Sequence, residues 1–152
     1  MGVLRTLVIG VLLACLGCTA PLPPPTAPVS LTLDPVMTNR RLTITGTTNL
    51  PDGAILMYEA RHENWRLAGE PVWLRAGQTA VKDGTYADRL NVSRWPEGTI
   101  EVWVAFQAVL LEGTQPPDVT ARYGPMGEGL TGDDVTRDGP MRRIERTVSL
   151  AP

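Results

Sequence analysis

The chain has 152 residues, with 14 basic and 16 acidic side chains, a formal net charge of −2 and 43 % hydrophobic residues. That length fits one domain, and the apolar fraction fits a globular body rather than a disordered chain. The mild acidity speaks against a nucleic-acid partner, which needs a basic patch. The two cysteines, Cys15 and Cys18, both sit at the end of the N-terminal apolar run. The body therefore has no disulfide, no thiol nucleophile and no Cys-ligated zinc. A single histidine, His62, excludes two-His metal sites, and no cofactor is expected.

Residues 1–18 read as a lipoprotein signal peptide. Arg5 supplies a short positive region, and Thr6 to Ala14 is an uncharged stretch too short to span a bilayer. It ends in LLACLGC, which has the form of a bacterial lipobox in two registers. Cys15 follows Leu12, Leu13 and Ala14, which suits the box; Cys18 follows Leu16 and Gly17 and allows a longer apolar region. One of the two is the expected lipidation site, and more than one acyl chain makes the anchoring firm. Residues 19–29 are a proline-rich tether, whose composition favours an extended spacer at about 3.1 Å per residue. Residues 30–152 are the folded domain.

From Val29 onward the apolar period is two. Val29, Leu31 and Leu33 alternate with polar residues until Asp34-Pro35 closes the run, and Leu42 and Ile44 form a second strand. Pro51-Asp52-Gly53 is a turn, because Pro sets φ and Gly accepts positive φ. Ile55 to Ala60 is a third strand, residues 62–71 a loop and residues 72–75 a fourth strand ended by Ala76-Gly77. Asp83-Gly84 between Gln78–Lys82 and Thr85–Leu90 is the strongest hairpin signal in the chain. After a turn at Trp95 to Gly98 comes TIEVWVAFQAVLL, apolar on both faces, which predicts a central strand with a bulge or break near Gln107. Thr114 and the following prolines open a short helix that Gly124 ends. Residues 124–140 read as a long glycine-rich loop, and Ile144, Val148 and Leu150 mark a last strand. Seven or eight short strands with at most one helix predict an all-β, Ig-like antiparallel sandwich.

The stretches LTITGTTNLPDGAILM, VKDGTYADRL, WPEGTIEVWV and QPPDV, with GEGL after them, carry a resemblance. Together they resemble a single-domain group of uncharacterised exported bacterial lipoproteins with the pattern G-x-T-N-L-P-D-G, P-x-G-x-[YI]-x-V and Q-P-P-x-V. The resemblance covers nearly all of residues 30–150. It implies an Ig-like sandwich and supplies no active site.

Three groups of side chains stand out. Asp133, Asp134 and Asp138 lie in the glycine-rich region, but their spacing does not match an EF-hand loop, so a solvated acidic loop is expected rather than a calcium site. Trp65, Trp73, Trp95 and Trp103 are four tryptophans in a domain with one Phe. Trp103 shares the less apolar face of its strand with Glu101 and Gln107, which makes these three the candidate binding face. His62, near Glu59 and Glu63, reads as a surface histidine on a loop, and Arg40-Arg41 and Arg142-Arg143 as exposed strand-end charges.

No nucleophile–base pair is recognisable. The expectation is an exported, non-enzymatic binding or structural module, anchored to a cell or outer membrane by lipid, with an envelope protein or a glycan as partner. The alternative is a carbohydrate-binding accessory domain that uses exposed tryptophans. An enzyme would need two carboxylates facing one cleft.

Overall fold

A computed structural model describes residues 27–67 and 73–151. The signal peptide, both cysteines and most of the tether lie outside the described residues. Among the described residues, the strands are β1 (Val36–Thr38), β2 (Arg41–Thr47), β3 (Ile55–His62), β4 (Leu74–Ala80), β5 (Thr85–Asn91), β6 (Ile100–Gln107), β7 (Val135–Asp138) and β8 (Met141–Leu150). The helix α1 (Pro117–Tyr123) lies between β6 and β7.

The strands form two antiparallel sheets, in the orders β1-β2-β5 and β4-β3-β6-β8-β7. The domain is thus an all-β sandwich with one short helix. Its layout is that of an Ig-like sandwich whose fourth strand has joined the second sheet, extended by β7. Period two explains the core. Leu42 and Ile44 of β2 face Leu56 of β3, Val102, Val104 and Phe106 of β6, and Ile144 of β8, all fully buried. Helix α1 closes one end, with Tyr123 edge-on to Phe106 at a centroid distance of 5.4 Å.

Several local readings need correction. Asp34-Pro35 does not close the extended run from Val29: Leu31 makes an isolated bridge with Thr48, and β1 begins directly after the proline. The amides of Thr32 and Asp34 pair with the carbonyls of Thr47 and Thr45, and the same line continues into β1. Proline is tolerated there because the strand is at the sheet edge, where no N–H is needed on the open side. The turn that ends the hairpin is Asn39-Arg40, both at positive φ (50° and 58°), between the paired residues Thr38 and Arg41. Arg40 is thus a turn residue, and its guanidinium donates to the carbonyls of Ser93 and Trp95.

Ala76-Gly77 is no turn either; it lies inside β4. Gly77 is the register partner of Tyr58, and a Cβ there would overlap the Tyr58 ring. Gly46 in β2 stands in the same relation to Tyr86 in β5, whose hydroxyl donates to the Thr32 carbonyl. In both sheets an aromatic ring lies over a glycine, so these glycines serve packing and not chain reversal. Asp83-Gly84 is the two-residue turn expected, both residues at positive φ, but only Lys82 and Thr85 pair across it. The flanking strands then separate into different sheets.

The region 124–140 is not one long loop. It contains β7, joined to β8 by Gly139-Pro140, and the part before β7 is held by bonds such as Gly129 N–H to Tyr123 carbonyl at 2.8 Å. Thr114 does not cap the helix: Pro116 occupies the cap position and makes no side-chain capping bond. The break foreseen near Gln107 is where β6 ends.

Candidate functional site

The inner face of β6 is filled by Ile100, Val102, Val104 and Phe106, so alternation turns Glu101, Trp103, Ala105 and Gln107 outward. β3 and β8 flank β6, in the register Glu59↔Trp103↔Thr147 and Arg61↔Glu101↔Ser149. The outer face of the five-stranded sheet therefore has Trp103 at its middle, ringed by polar side chains.

Trp103 is half-buried, and its Nε1–H donates to Glu145 Oε2 at 2.8 Å. Arg143 Nε lies 3.2 Å from the same carboxylate oxygen. The indole is thus fixed in orientation by a charged neighbour that is itself paired. On the other side, Arg61 donates to Glu101 and lies 3.8 Å from Glu59. These pairs are partly solvated, so each adds little to stability, but together they hold planar groups in place. Gln107 is not a free binding group. Its amide nitrogen donates to the Val109 carbonyl at 2.7 Å and lies 3.2 Å from Met57 Sδ, which shapes the loop after β6.

Three open depressions cross this face. One of about 270 Å³ is lined by Glu59, Arg61, Glu101, Trp103 and Thr147. A second, about 310 Å³, shares Glu59 and Trp103 and runs over β4 to Gln78 and the loop residues Leu111 and Glu112. Leu111 is 84 % exposed, and Gln78 Nε2 donates to the Glu112 carbonyl at 3.0 Å, which ties the loop over the sheet. A third, about 370 Å³, shares Arg61 and Glu101 and reaches Trp65, Arg66 and Ser149.

The other candidates separate. Asp134 pairs with Arg146, whose hydrogen bond holds the carboxyl below its usual range. Asp138 lies 4.0 Å from Arg143, and among the described residues no three acidic, His or Cys side chains are grouped as metal ligands. Trp95 is buried in the core, and Trp73 is partly buried against it. Arg66 stacks on Trp65 at 5.0 Å.

His62 is no surface residue. It is the last residue of β3, points inward with the even-numbered core residues and is fully buried. Its Nδ1 accepts the Asn64 N–H at 3.1 Å, its Nε2 lies 3.3 Å from the Glu97 carbonyl, and Trp73 packs edge-on at 5.6 Å. The imidazole thus ties the β3 terminus to the turn before β6.

Sequence reasoning also passed over Gln115. It is buried, and its carboxamide accepts the Ile55 N–H at 2.9 Å while donating to the carbonyls of Ile55 at 2.8 Å and Gln107 at 2.9 Å. The β3–β6 register would next set Ile55 opposite Gln107, and the Gln115 side chain takes that place as a substitute peptide group. The Gln-Pro-Pro stretch was the available signal, since a side chain held just before two prolines has a restricted backbone.

Tyr58 lies behind the site, 6 % exposed. Burial first, and the neighbouring Asp88 second, push its phenol up to about 12. Among the described residues no helix is long and apolar enough to cross a membrane. No protein-family model matches the chain, and a search of curated proteins finds no match.

Proposed function

We propose that this protein is a lipid-tethered, extracytoplasmic, non-enzymatic binding module of the cell envelope, whose working surface is the outer face of the five-stranded sheet. The carrying observation is Trp103, half-exposed at the centre of that face and locked by Glu145 among ordered polar groups. A rigid aromatic in fixed polar surroundings is a recognition element. Two facts support the non-enzymatic reading. The one imidazole is buried and engaged in holding the fold. In the depression beside Trp103, the carboxylates Glu59 and Glu101 both pair with the Arg61 placed between them.

The tether and anchor rest on the N-terminal sequence: Cys15 or Cys18 carries the lipid, and the proline-rich segment spaces the domain from the membrane. Fractionation of cells producing the full chain, followed by intact mass measurement, tests this. The expected product has acyl mass on Cys15 or Cys18 and nothing N-terminal to it, and Ser at both positions abolishes that mass. A mature chain beginning after residue 18 with no lipid would refute the anchoring. Turnover in a broad hydrolase screen, lost on Glu101→Gln, would refute the non-enzymatic reading.

A further inference from the structure

The three depressions on the outer face are not separate. The first shares Arg61 and Glu101 with one neighbour and Glu59 and Trp103 with the other, so they form one continuous track from Trp65 to Leu111. Along β3 alone, Met57 to Arg61 spans roughly 13 Å at about 3.3 Å per residue. The track is long, open and shallow, whereas small-molecule sites enclose most of their ligand. That shape fits a chain polymer lying across the strands' side chains.

Chemistry narrows the class. An extended peptide that adds a strand needs an open sheet edge. Here the floor is β6, paired on both sides by β3 and β8, so its backbone groups are engaged. Recognition must come from side chains. The track carries four carboxylates, Glu59, Glu63, Glu101 and Glu112, against two guanidiniums, Arg61 and Arg66. The surplus negative charge repels anionic polymers. Thr99, Thr147 and Ser149 add hydroxyls. Their neighbours are planar carboxylates, which keep acceptor capacity beyond the ion pairs already made. The indole of Trp103 presents an apolar plate among them. Hydroxyl-rich edges and C–H-rich faces are the complement of that surface. We infer that the ligand of this face is a neutral glycan chain, lying from Trp103 toward Trp65 with its hydroxyls on Glu59, Arg61, Glu101 and Thr147. This rests on the outer face being the working surface, and it names what that surface holds.

The test is titration of the full chain, purified in detergent, with neutral β-1,4-linked glucose and N-acetylglucosamine oligomers, and with galacturonate oligomers as an anionic contrast. The readout is the indole N–H resonances of the four tryptophans in the wild-type protein. Neutral oligomers should shift Trp103 and Trp65 while the buried Trp95 stays still. Longer oligomers should bind more tightly than the disaccharide. Trp103→Ala should weaken binding at least tenfold with the Trp95 resonance unchanged. No shift with either neutral series, a shift with the galacturonate oligomers alone, or binding indifferent to Trp103→Ala would overturn the inference. Crosslinking from Thr147→Cys in intact cells separates the two readings. If it traps a defined envelope protein and no neutral oligomer binds, the glycan assignment falls and the working face stands. If neither is found, both fall.

Discussion

Removing the carboxamide of Gln115 should damage the fold more than its position in an irregular segment suggests. Gln115→Ala deletes three hydrogen bonds and orphans the Ile55 N–H, the Ile55 carbonyl and the Gln107 carbonyl. A buried group left unsatisfied costs about 1–3 kcal/mol, and water entering the vacated space keeps each near the lower end, which gives about 3–4 kcal/mol in total. A domain of about 120 residues has a stability on the order of 10 kcal/mol, so the loss is near a third of the whole. With a urea slope of about 1–3 kcal/mol per M, the midpoint should fall by roughly 1–4 M while the slope stays unchanged. Gln115→Glu should be worse at neutral pH. Its carboxylate still accepts from Ile55, but it then faces two carbonyl oxygens to which it cannot donate. Part of that loss should return on acidification, when the carboxyl regains a proton. Urea unfolding followed by circular dichroism, with amide exchange at Ile55, measures both. A Gln115→Ala midpoint within the error of the parent protein would show that the carboxamide does not act as a substitute peptide group.

His62→Ala should cost about 2–4 kcal/mol, because it orphans the Asn64 N–H and leaves a cavity against Trp73; a thermal melt indistinguishable from the parent would contradict the buried role. Tyr86→Phe should cost about 1–2 kcal/mol through the lost donor to the Thr32 carbonyl. Gly46→Ala should cost more, since its Cβ would overlap both that carbonyl and the Tyr86 hydroxyl; the reverse ranking in urea would refute the packing argument. Tyr58 should ionise near pH 12 instead of 10. Its folded value is raised, so its contribution is complete below the ordinary value and is lost as pH climbs through the folded one. Burial raises Tyr86 and Tyr123 as well, so ultraviolet titration should show no phenol at the ordinary midpoint, and Asp88→Asn should advance the Tyr58 step only in part because burial is the larger cause; a Tyr58 step at the ordinary midpoint would sink the assignment.

Period two along Leu42–Ile44, Ile100–Phe106 and Ile144–Leu150 was enough to read the sandwich, because burying one face of a strand forces alternation whatever the neighbours are. The same alternation set Glu101, Trp103 and Gln107 on one face before any strand was paired. Turns whose own residues need positive φ, such as Asp83-Gly84, were legible for the same local reason. Asn39-Arg40 was not, because arginine carries no intrinsic signal for a conformation that its side-chain bonds across the fold support.

What only the tertiary structure decided depended on partners distant in sequence. Ala76-Gly77 looks like a turn until Tyr58 is laid over it, and β7 looks like loop until β8 offers an edge. His62 reads as exposed until Trp73 and the Glu97 carbonyl close around it. Gln107, placed on the right face by alternation, is occupied by Val109 and Met57, whereas Gln115, sixty residues from Ile55, supplies the missing peptide group. Local backbone preference and burial are written in neighbouring residues. The use of a polar side chain depends on which unpaired groups the fold brings to it, and long-range pairing alone determines that.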